Sequence, residues 1–384
     1  MARYLIVTWD GAGNLVPTLG IARNLVEAGH DVRILGHGTI AGRAAGLGAR
    51  FTSLAQPEDW DRMDDPDDFA AEVELLMDKL CFSSEIATDV AAELDREPTD
   101  VVVVDCMLFS ALNVAQASGL PVATLFHTPY TIFRGGPLVE MFSPGLGRLN
   151  AQRTELGLPP VATLGEVHDV CDVAFVAAPL EFEPSAGDAP NVVRIGPVLD
   201  APSLATTTDK VDLTDGSAPA VLVSLSTTEQ GQAGLLQRIV DAVAALPVCA
   251  IVTTGPSIDP ATVTAGANTR VVSYIPHAEL LPSTSLVITH AGLGTVMAAL
   301  GHGVPLLCLP MGRDQFFNAE QVQTLGAGRM LMPDADVSTI ADAARAVLDD
   351  ASCRAVAKQM AITISGYGGA SDAVNVLEGL AVAR

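Results

Sequence analysis

The chain has 384 residues and a formal net charge of -24 at pH 7. Such a negative field repels phosphate backbones and anionic lipid surfaces, which argues against nucleic-acid binding and peripheral membrane association. Hydrophobic residues make up 49% of the chain and aromatic residues only 4%, a composition typical of α/β layers with closely packed helices.

The N-terminal half of the chain alternates predicted strands and helices. The stretch "RYLIVTW" at 3–9 predicts a short apolar strand, and Pro17 opens a helical pattern that Gly29 closes. The stretch "DVRILG" follows as a second strand, so this unit is predicted to be a parallel βαβ. Further apolar strands at 100–105 and 121–126 flank a crossover helix. The pattern predicts a doubly wound parallel sheet.

A compositional break at 201–219 predicts a linker between two domains, because it is rich in Pro, Ser, Thr and Asp. After it the strand–helix pattern restarts and continues through "PLLCLP". We therefore expect an N-terminal domain over 1–200, a C-terminal domain over 220–366 and a last helix within 367–384. Open parallel sheets bind ligands beyond the carboxyl ends of their strands, so we expect the two sheets to face one central cleft.

The six cysteines lie apart, without CxxC pairs or histidines at metal-ligand spacing. This pattern predicts reduced thiols, no metal site and a cytoplasmic protein. The apolar start is too short for a signal peptide, and no apolar run is long enough to predict a membrane span. The acidic segment 57–68 is interpreted as a solvated loop, since no spacing in it matches a calcium loop.

A strand, "SLVITH", ends at His290 and is followed by a glycine-rich turn into an apolar helix. The free N–H groups and the positive end of such a helix form an anion site. Gly292 and Gly294 let the main chain approach a ligand closely. Thr295 adds a hydroxyl donor, and the His290 ring can donate to a phosphate oxygen. The alternative is a tight turn in which glycine only satisfies the backbone geometry.

The motifs around this turn decide between the two interpretations. They are an aromatic–x–Pro at 274–276, His-x-Gly-x-x-Thr at 290–295, Gly-Val-Pro at 303–305, and Asp-Gln followed by Asn at 314–318. Together they closely resemble the donor-binding signature of family-one glycosyltransferases, which have two Rossmann-like domains (the GT-B fold). The resemblance implies an inverting, metal-independent enzyme whose only co-substrate is a nucleotide sugar. It also implies that the last helix packs back on the N-terminal domain.

The resemblance assigns three groups of donor-site residues. The diphosphate group comprises Ser226, Thr227, His290, Gly292, Gly294 and Thr295. The nucleotide-base group comprises Tyr274, Ile275 and His277, and the sugar group comprises Asp314 and Gln315. The last two suit a fully hydroxylated hexose, because a carboxylate and an amide together accept from and donate to hydroxyls. UDP-glucose is therefore the expected donor, with a dTDP-hexose as the alternative; the other interpretation of Asp314 is a helix N-cap.

The catalytic base is where this sequence departs from the family. Relatives carry a histidine three residues before the proline that corresponds to Pro17, and this chain has Asn14 there, which accepts no proton at neutral pH. Asp105 matches the aspartate that normally orients that histidine. Three residues at predicted strand ends are candidates to replace it: Asp10, with Asn14 orienting the acceptor, then His127, then Asp105 itself.

We expect transfer of a hexose to a hydroxyl, or to an activated aromatic carbon, of a small hydrophobic natural-product or phenolic acceptor. Segments 60–90 and 128–150 carry aromatic and Met residues among loop-forming residues and are predicted to line the acceptor pocket. Two alternatives stay open: a nucleotide-sugar-binding partner that has lost the base, and a nucleotide-sugar epimerase of the same fold. The chain is expected to be a monomer or a homodimer.

Overall fold

The computed structural model describes residues 1–55, 69–135, 137–184, 187–199, 218–228 and 230–382. The described residues form two compact units. The first holds 1–55, 69–199 and 367–382, and the second holds 218–366. The acidic segment 57–68 and nearly all of the predicted linker at 201–219 lie outside the described residues.

In the described part of the first unit, seven parallel strands form one sheet. They are β1 (Arg3–Val7), β2 (Asp31–Gly36), β3 (Arg50–Ser53), β4 (Val101–Asp105), β5 (Val122–Phe126), β6 (Val173–Val176) and β7 (Val192–Arg194). Their spatial order is β3-β2-β1-β4-β5-β6-β7. The order reverses between β1 and β4, which pair directly from Tyr4 opposite Val101. Such a switch point is where doubly wound sheets bind their ligands.

The sheet of the first unit is buried on both faces. Leu5 and Val7 belong to one core cluster, whereas Tyr4 and Ile6 belong to the other. Parallel strands covered in this way read as continuous apolar runs, which explains why the sequence revealed most of them. The helices of this unit before the second domain are α1 (Leu15–Glu27), α2 (Ala41–Gly46), α3 (Phe69–Leu76), α4 (Ser84–Arg96), α5 (Phe109–Ala117), α6 (Pro137–Phe142), α7 (Leu146–Glu155) and α8 (Glu166–Asp169).

The second unit repeats this layout with six parallel strands among its described residues. They are β8 (Ala220–Ser224), β9 (Cys249–Thr253), β10 (Thr269–Val272), β11 (Leu286–Thr289), β12 (Leu306–Cys308) and β13 (Gly328–Met330). The order is β10-β9-β8-β11-β12-β13, so the switch point lies between β8 and β11. The helices are α9 (Ala233–Ala244), α10 (His277–Leu280), α11 (Leu293–Gly301), α12 (Gln315–Leu325), α13 (Val337–Asp349) and α14 (Ala351–Ile364).

The last helix, α15 (Ala370–Val382), belongs to the first unit. Ala373 and Leu377 are fully buried in the same core cluster as Leu15 of α1. The imidazole Nε2 of His30 lies 2.8 Å from the Glu378 carboxylate and adds a polar tie. The helix therefore completes the core of a unit whose other strands and helices lie more than 160 positions earlier in the chain.

Several element boundaries differ from those predicted. Helix α1 begins at Leu15 rather than at Pro17, because the first N–H groups of a helix have no internal partner and a proline in the first turn costs nothing. The first strand ends at Val7 rather than at residue 9. The sequence pattern did not identify β3, β6, β7 and β13, each of which has only three or four residues. No helix in the described part of the chain combines the length and apolarity that a membrane span requires.

Candidate active site

The switch point of the first sheet brings three predicted polar residues together. Asp105 ends β4, His127 follows β5, and Asn14 precedes α1. The His127 Nδ1 lies 3.1 Å from Asp105 Oδ2, and the Asn14 Nδ2 donates to that same oxygen at 3.0 Å. Asp105 and Asn14 are buried, whereas the side chain of His127 is 13% exposed. The imidazole is therefore the member of this group that solvent or a substrate can reach.

The two partners of this pair shift each other's pKa in opposite directions. For Asp105, burial favours the neutral acid, but the nearby imidazole, together with hydrogen bonds from the Met107 N–H and from Asn14, outweighs burial and holds the pKa below 3.8. For His127, burial opposes protonation, but the Asp105 carboxylate and the neighbouring Cys106 together outweigh it and raise the pKa well above 6.5. A carboxylate that holds one ring nitrogen fixes the ring and strengthens the other nitrogen as a proton acceptor.

The switch point of the second sheet carries a histidine of the opposite character. His290 follows β11 and is 9% exposed, and its Nδ1 lies 3.4 Å from Thr289 Oγ1. Burial, helped by the charge of Arg313, lowers the pKa of His290 to about 4. The ring is therefore neutral at pH 7 and offers a hydrogen bond without a charge.

The turn that follows His290 uses its two glycines differently. A Cβ on Gly292 would lie 2.7 Å from the His290 Nε2, so this glycine makes room for the imidazole. A Cβ on Gly294 would meet no atom of the described residues within 4 Å. Gly294 is exposed and Thr295 half-buried in the first turn of α11, where backbone N–H groups have no partner within the helix. Gly294, rather than Gly292, leaves the open face that an anion would use.

Side-chain hydrogen bonds tie the loop after β8 to the loop after β12. The Arg313 Nη1 donates to Thr228 Oγ1 at 3.0 Å, and the Gln315 Nε2 donates to Gln230 Oε1 at 3.0 Å. Ser226 joins them, since its Oγ lies 2.9 Å from both Thr228 Oγ1 and Gln230 Nε2. We call these five residues the polar bridge. Because β11 lies between β8 and β12, the polar bridge passes the carboxyl end of β11.

Comparison with known proteins matches this arrangement to one family. Residues 237–374 match the model of the erythromycin biosynthesis protein CIII-like C-terminal domain. The chain is 28% identical to 4'-demethylrebeccamycin synthase of Lentzea aerocolonigenes over 99% of both lengths. It is 27% identical to demethyllactenocin mycarosyltransferase of Streptomyces fradiae over 99% of this chain and 87% of the relative. The crystal structure of the glycosyltransferase VinC in complex with dTDP matches with a TM-score of 0.75 at 20% identity over the whole of both chains.

Over nearly its whole length the chain is similar to natural-product glycosyltransferases, and its C-terminal half matches the family model of such an enzyme. Its two parallel-sheet units are those of the GT-B fold, as the sequence predicted. It is a glycosyltransferase, so the two switch points are the places to look for its acceptor and donor chemistry.

Both residues that were expected to bind sugar hydroxyls are engaged within the glycosyltransferase itself. Gln315 is 2% exposed, and its Oε1 accepts from the N–H groups of Met311 and Gly312 at 2.8 and 3.2 Å. Asp314 stands at the N-cap position of α12 without a side-chain cap bond. Its Oδ2 instead accepts from Asn318 Nδ2 at 3.1 Å. Both side chains stabilise the loop after β12 in this structure.

The nucleotide-base group occupies the loop after β10. Tyr274 is 45% exposed, Ile275 is 4% exposed, and His277 begins α10. Burial lowers the pKa of His277 to about 4, so it is neutral at pH 7. The exposed Tyr274 ring offers a surface for stacking, whereas Ile275 offers only its backbone to a ligand.

The loop after β1 separates two of the predicted catalytic residues. The Asn14 Nδ2 also donates to the Trp9 carbonyl at 2.9 Å, and its Oδ1 accepts from the Gly11 N–H at 3.0 Å. The Asp10 carboxylate accepts from Thr39 Oγ1 at 2.7 Å, toward the loop after β2. Asn14 therefore orders this loop and Asp105, while Asp10 points to a different neighbour.

Asp105, Cys106 and His127 are also a potential metal-ligand group, since one ligand atom of each lies within 4.8 Å of the others. The Cys106 Sγ is 3.8 Å from the His127 Nδ1. However, that nitrogen already faces the Asp105 carboxylate, and burial raises the pKa of the Cys106 thiol, which disfavours the thiolate that binds metals. We interpret the group as a proton-transfer pair with a neutral thiol beside it.

The predicted acceptor segments are partly core and partly outside the described residues. Positions 60–68 and 136 are not described. Within the described part, Phe82, Tyr130 and Phe133 are buried in the core of the first unit. These aromatic side chains therefore stabilise the fold. The half-buried Trp9 lies closer to the candidate catalytic residues, since its ring centroid is 6.4 Å from that of His127.

Sequence reasoning missed three members of the polar bridge: Thr228, Gln230 and Arg313. It selected Thr227, which is exposed, whereas the neighbouring Thr228 is buried and hydrogen-bonded. The available signal was the density of polar side chains after an apolar strand, "STTEQGQ". No spacing rule connects that loop to Arg313, 85 residues later.

Proposed function

We propose that this glycosyltransferase moves a hexose from a nucleotide sugar to a hydroxyl of a small hydrophobic acceptor, with inversion at the anomeric carbon. The Asp105–His127 pair carries this proposal. It supplies an oriented base of raised pKa at a switch point, although Asn14 occupies the position of the family's usual histidine. We therefore place His127 ahead of Asp10 and Asp105 as the base.

In the proposed step, the acceptor oxygen attacks the anomeric carbon while the His127 Nε2 takes the hydroxyl proton. The bond from that carbon to the phosphate oxygen breaks, and the departing nucleoside diphosphate keeps the electron pair. Attack on the face opposite the leaving group converts an α-linked donor into a β-linked product. Asp105 stays ionised and stabilises the imidazolium that forms.

The diphosphate is proposed to bind the first turn of α11, where Gly294 leaves an open face and the backbone N–H groups point outward. Fixed dipoles of this kind stabilise the charge that develops on the leaving group without reorganising. We therefore propose a reaction that needs neither a metal ion nor a cofactor.

We propose a dTDP-hexose as the donor class, with UDP-glucose as the competing donor. VinC, whose fold this chain shares, holds dTDP in its crystal structure. The preference for a fully hydroxylated glucose depended on Asp314 and Gln315 together, and the amide oxygen of Gln315 already accepts two backbone N–H groups. These hydrogen bonds favour a donor whose sugar has fewer hydroxyl groups to bond to Gln315.

The acceptor is proposed to be a flat hydrophobic or phenolic natural product. The half-buried Trp9 and Met107 pack against the apolar core of the first unit close to Asp105 and His127. A phenolic hydroxyl suits this site, because its pKa of about 10 makes proton removal easier than from an alcohol.

The test is transfer by the purified full chain from dTDP-glucose and UDP-glucose to 4-methylumbelliferone and to a panel of flat polycyclic phenols. Mass spectrometry reports the glycoside, and the anomeric proton coupling reports a β linkage. Nucleotide binding without transfer to any acceptor would instead support the binding-partner alternative. A changed donor sugar in the absence of acceptor would support the epimerase.

A further inference from the structure

The proposed donor site has to offset two negative charges with side chains that are mostly neutral. The His290 imidazole carries no charge at pH 7, because its pKa is lowered to about 4. Ser226, Thr228 and Thr295 offer hydroxyl groups. The chain as a whole carries a net charge of -24, so its long-range field opposes an anionic ligand. A local cation would resolve this imbalance.

Arg313 is a cation at this position. It lies in the loop after β12, is half-buried, and bonds Thr228 Oγ1 across the carboxyl end of β11. Burial is the main cause of the lowered pKa of His290, and the charge of Arg313 lowers that pKa further. The guanidinium is therefore near both loops that the proposed diphosphate would contact.

The backbone of Arg313 is unusual as well. Its φ is +55°, in the left-handed region that a side chain with a Cβ seldom adopts. Two other non-glycine residues of the described chain have the same kind of φ: Ala291, in the turn beside the proposed diphosphate, at +68°, and Ala12, in the first unit, at +60°. Residues held in this region concentrate at binding sites, where the surrounding contacts fix them.

We infer that Arg313 is a donor-binding residue whose guanidinium contacts the diphosphate of the nucleotide sugar. This inference rests on the proposed function and adds a residue that the donor motif does not contain. A guanidinium presents a planar fork of N–H donors that matches phosphate oxygens. Thr228 holds that fork at the edge of the glycine-rich turn. The contact strengthens as the sugar–oxygen bond breaks and negative charge gathers on the leaving diphosphate.

The experiment compares dTDP with thymidine, which has the same base and sugar but no phosphate. Titration calorimetry measures both ligands, and UDP with uridine, on the wild-type chain and on Arg313→Met and Arg313→Lys. Arg345→Met is the matched control, because Arg345 is an exposed arginine that pairs with Asp342 within α13 of the same unit.

We expect Arg313→Met to weaken dTDP binding at least about 10-fold, as the loss of a charge-assisted hydrogen bond does, and to leave thymidine binding within about twofold. The salt dependence of dTDP binding becomes shallower, and Arg313→Lys recovers part of the affinity. Arg345→Met binds both ligands as the wild type does.

Equal dTDP affinity in the wild type and Arg313→Met would overturn the inference while leaving the proposed function intact. Equal losses for dTDP and thymidine would also overturn it, because they would show that Arg313 only holds the loop through Thr228. A wild-type chain that binds neither dTDP nor UDP would overturn the proposed function together with the inference. Should Arg313→Met fail to fold, the dTDP-to-thymidine ratio of Arg313→Lys decides the question, since lysine keeps the charge but loses the planar fork.

Discussion

The two units place a histidine at the same edge of the same kind of sheet, yet the two histidines have opposite electrostatics. His127 faces the Asp105 carboxylate, which raises its pKa well above 6.5. His290 is buried near Arg313, and its pKa falls to about 4. Topology thus selects the position. A neighbouring carboxylate overcomes burial at His127, whereas at His290 burial prevails and Arg313 adds to it. One ring is suited to take a proton and the other to remain neutral beside an anion.

The largest expected effect is the loss of catalysis when His127 is replaced, in contrast to the loss of donor binding when His290 is replaced. His127→Gln should lower kcat for transfer about 10²- to 10⁴-fold, the usual contribution of a general base, while dTDP affinity stays unchanged. His290→Gln should show the mirror pattern, with weaker dTDP binding as its main defect. Steady-state kinetics and titration calorimetry on both variants measure the contrast. Undiminished transfer by His127→Gln would move the base elsewhere, and Asp10→Asn would then be the next variant.

A second prediction concerns pH. In the wild type, kcat/KM should rise with pH through a pKa well above 6.5, because a base must be unprotonated to act and Asp105 holds the proton on His127. Asp105→Asn removes that charge, so the rise should move to lower pH and the plateau should fall about 10²-fold or more. Asp10→Asn is the control and should leave the profile in place. A profile that Asp105→Asn does not shift would show that His127 is not the titrating group.

Substitutions of Gly292 and Gly294 test the proposed donor turn of the second unit. Gly292→Ala forces a Cβ to within 2.7 Å of the His290 ring and should destabilise the fold by about 1–3 kcal/mol. Gly294→Ala meets no described atom and should stabilise α11 by up to about 1 kcal/mol, yet weaken dTDP binding. Thermal unfolding and calorimetry on the pair give both readouts. Wild-type dTDP affinity in Gly294→Ala would show that no ligand approaches that position.

The last prediction concerns the response of stability to acid. A depressed histidine pKa means that the unfolded chain binds protons at pH values where the folded chain does not. Stability contributed by neutral His290 is therefore present above pH 6.5 and is lost as pH falls toward 4, with a slope of up to about 1.4 kcal/mol per pH unit. The raised pKa of His127 has the opposite sign, so its contribution is complete below pH 6.5 and is lost as pH rises through the folded value.

Hydrogen exchange of peptides from β8 to α11, measured between pH 6.5 and 4 and corrected for the intrinsic exchange rate, reports the second unit separately. His290→Gln should reduce the loss of protection there, and the remainder should come from His277, whose pKa burial also lowers to about 4. His127→Gln should leave the loss unchanged. An identical acid response in His290→Gln and the wild type would assign the loss to other groups.

Much of the fold could be predicted from the sequence, because both sheets are parallel and are buried on both faces. Their strands are continuous apolar runs, and the residue after each run is placed at the ligand-binding edge. Asp105, His127 and His290 were all identified on that basis. The pairing of Asp105 with His127 could not be predicted, because it depends on β4 lying beside β5. The direction of the Asp10 side chain likewise depends on Thr39, after the neighbouring strand.

The donor site divides in the same way. The turn from His290 to Thr295 is contiguous, so its motif was visible in the sequence. The polar bridge joins side chains such as Thr228 and Arg313 from loops 85 positions apart, and only the order of β8, β11 and β12 brings them together. A site formed by consecutive residues can be predicted from their spacing in the sequence, whereas contacts between distant loops can be predicted only when the strand order is known.

The return of α15 to the first unit has a consequence for biosynthesis. Ala373 and Leu377 fill the core beside Leu15 of α1. The apolar surface of α1 that they cover is therefore exposed while the ribosome makes the 164 residues of the second unit that follow position 202. The nascent N-terminal unit therefore emerges with this apolar surface uncovered. Its core is completed only after α15 has left the exit tunnel. Translation pauses or premature termination before residue 370 would leave that apolar surface accessible to chaperones.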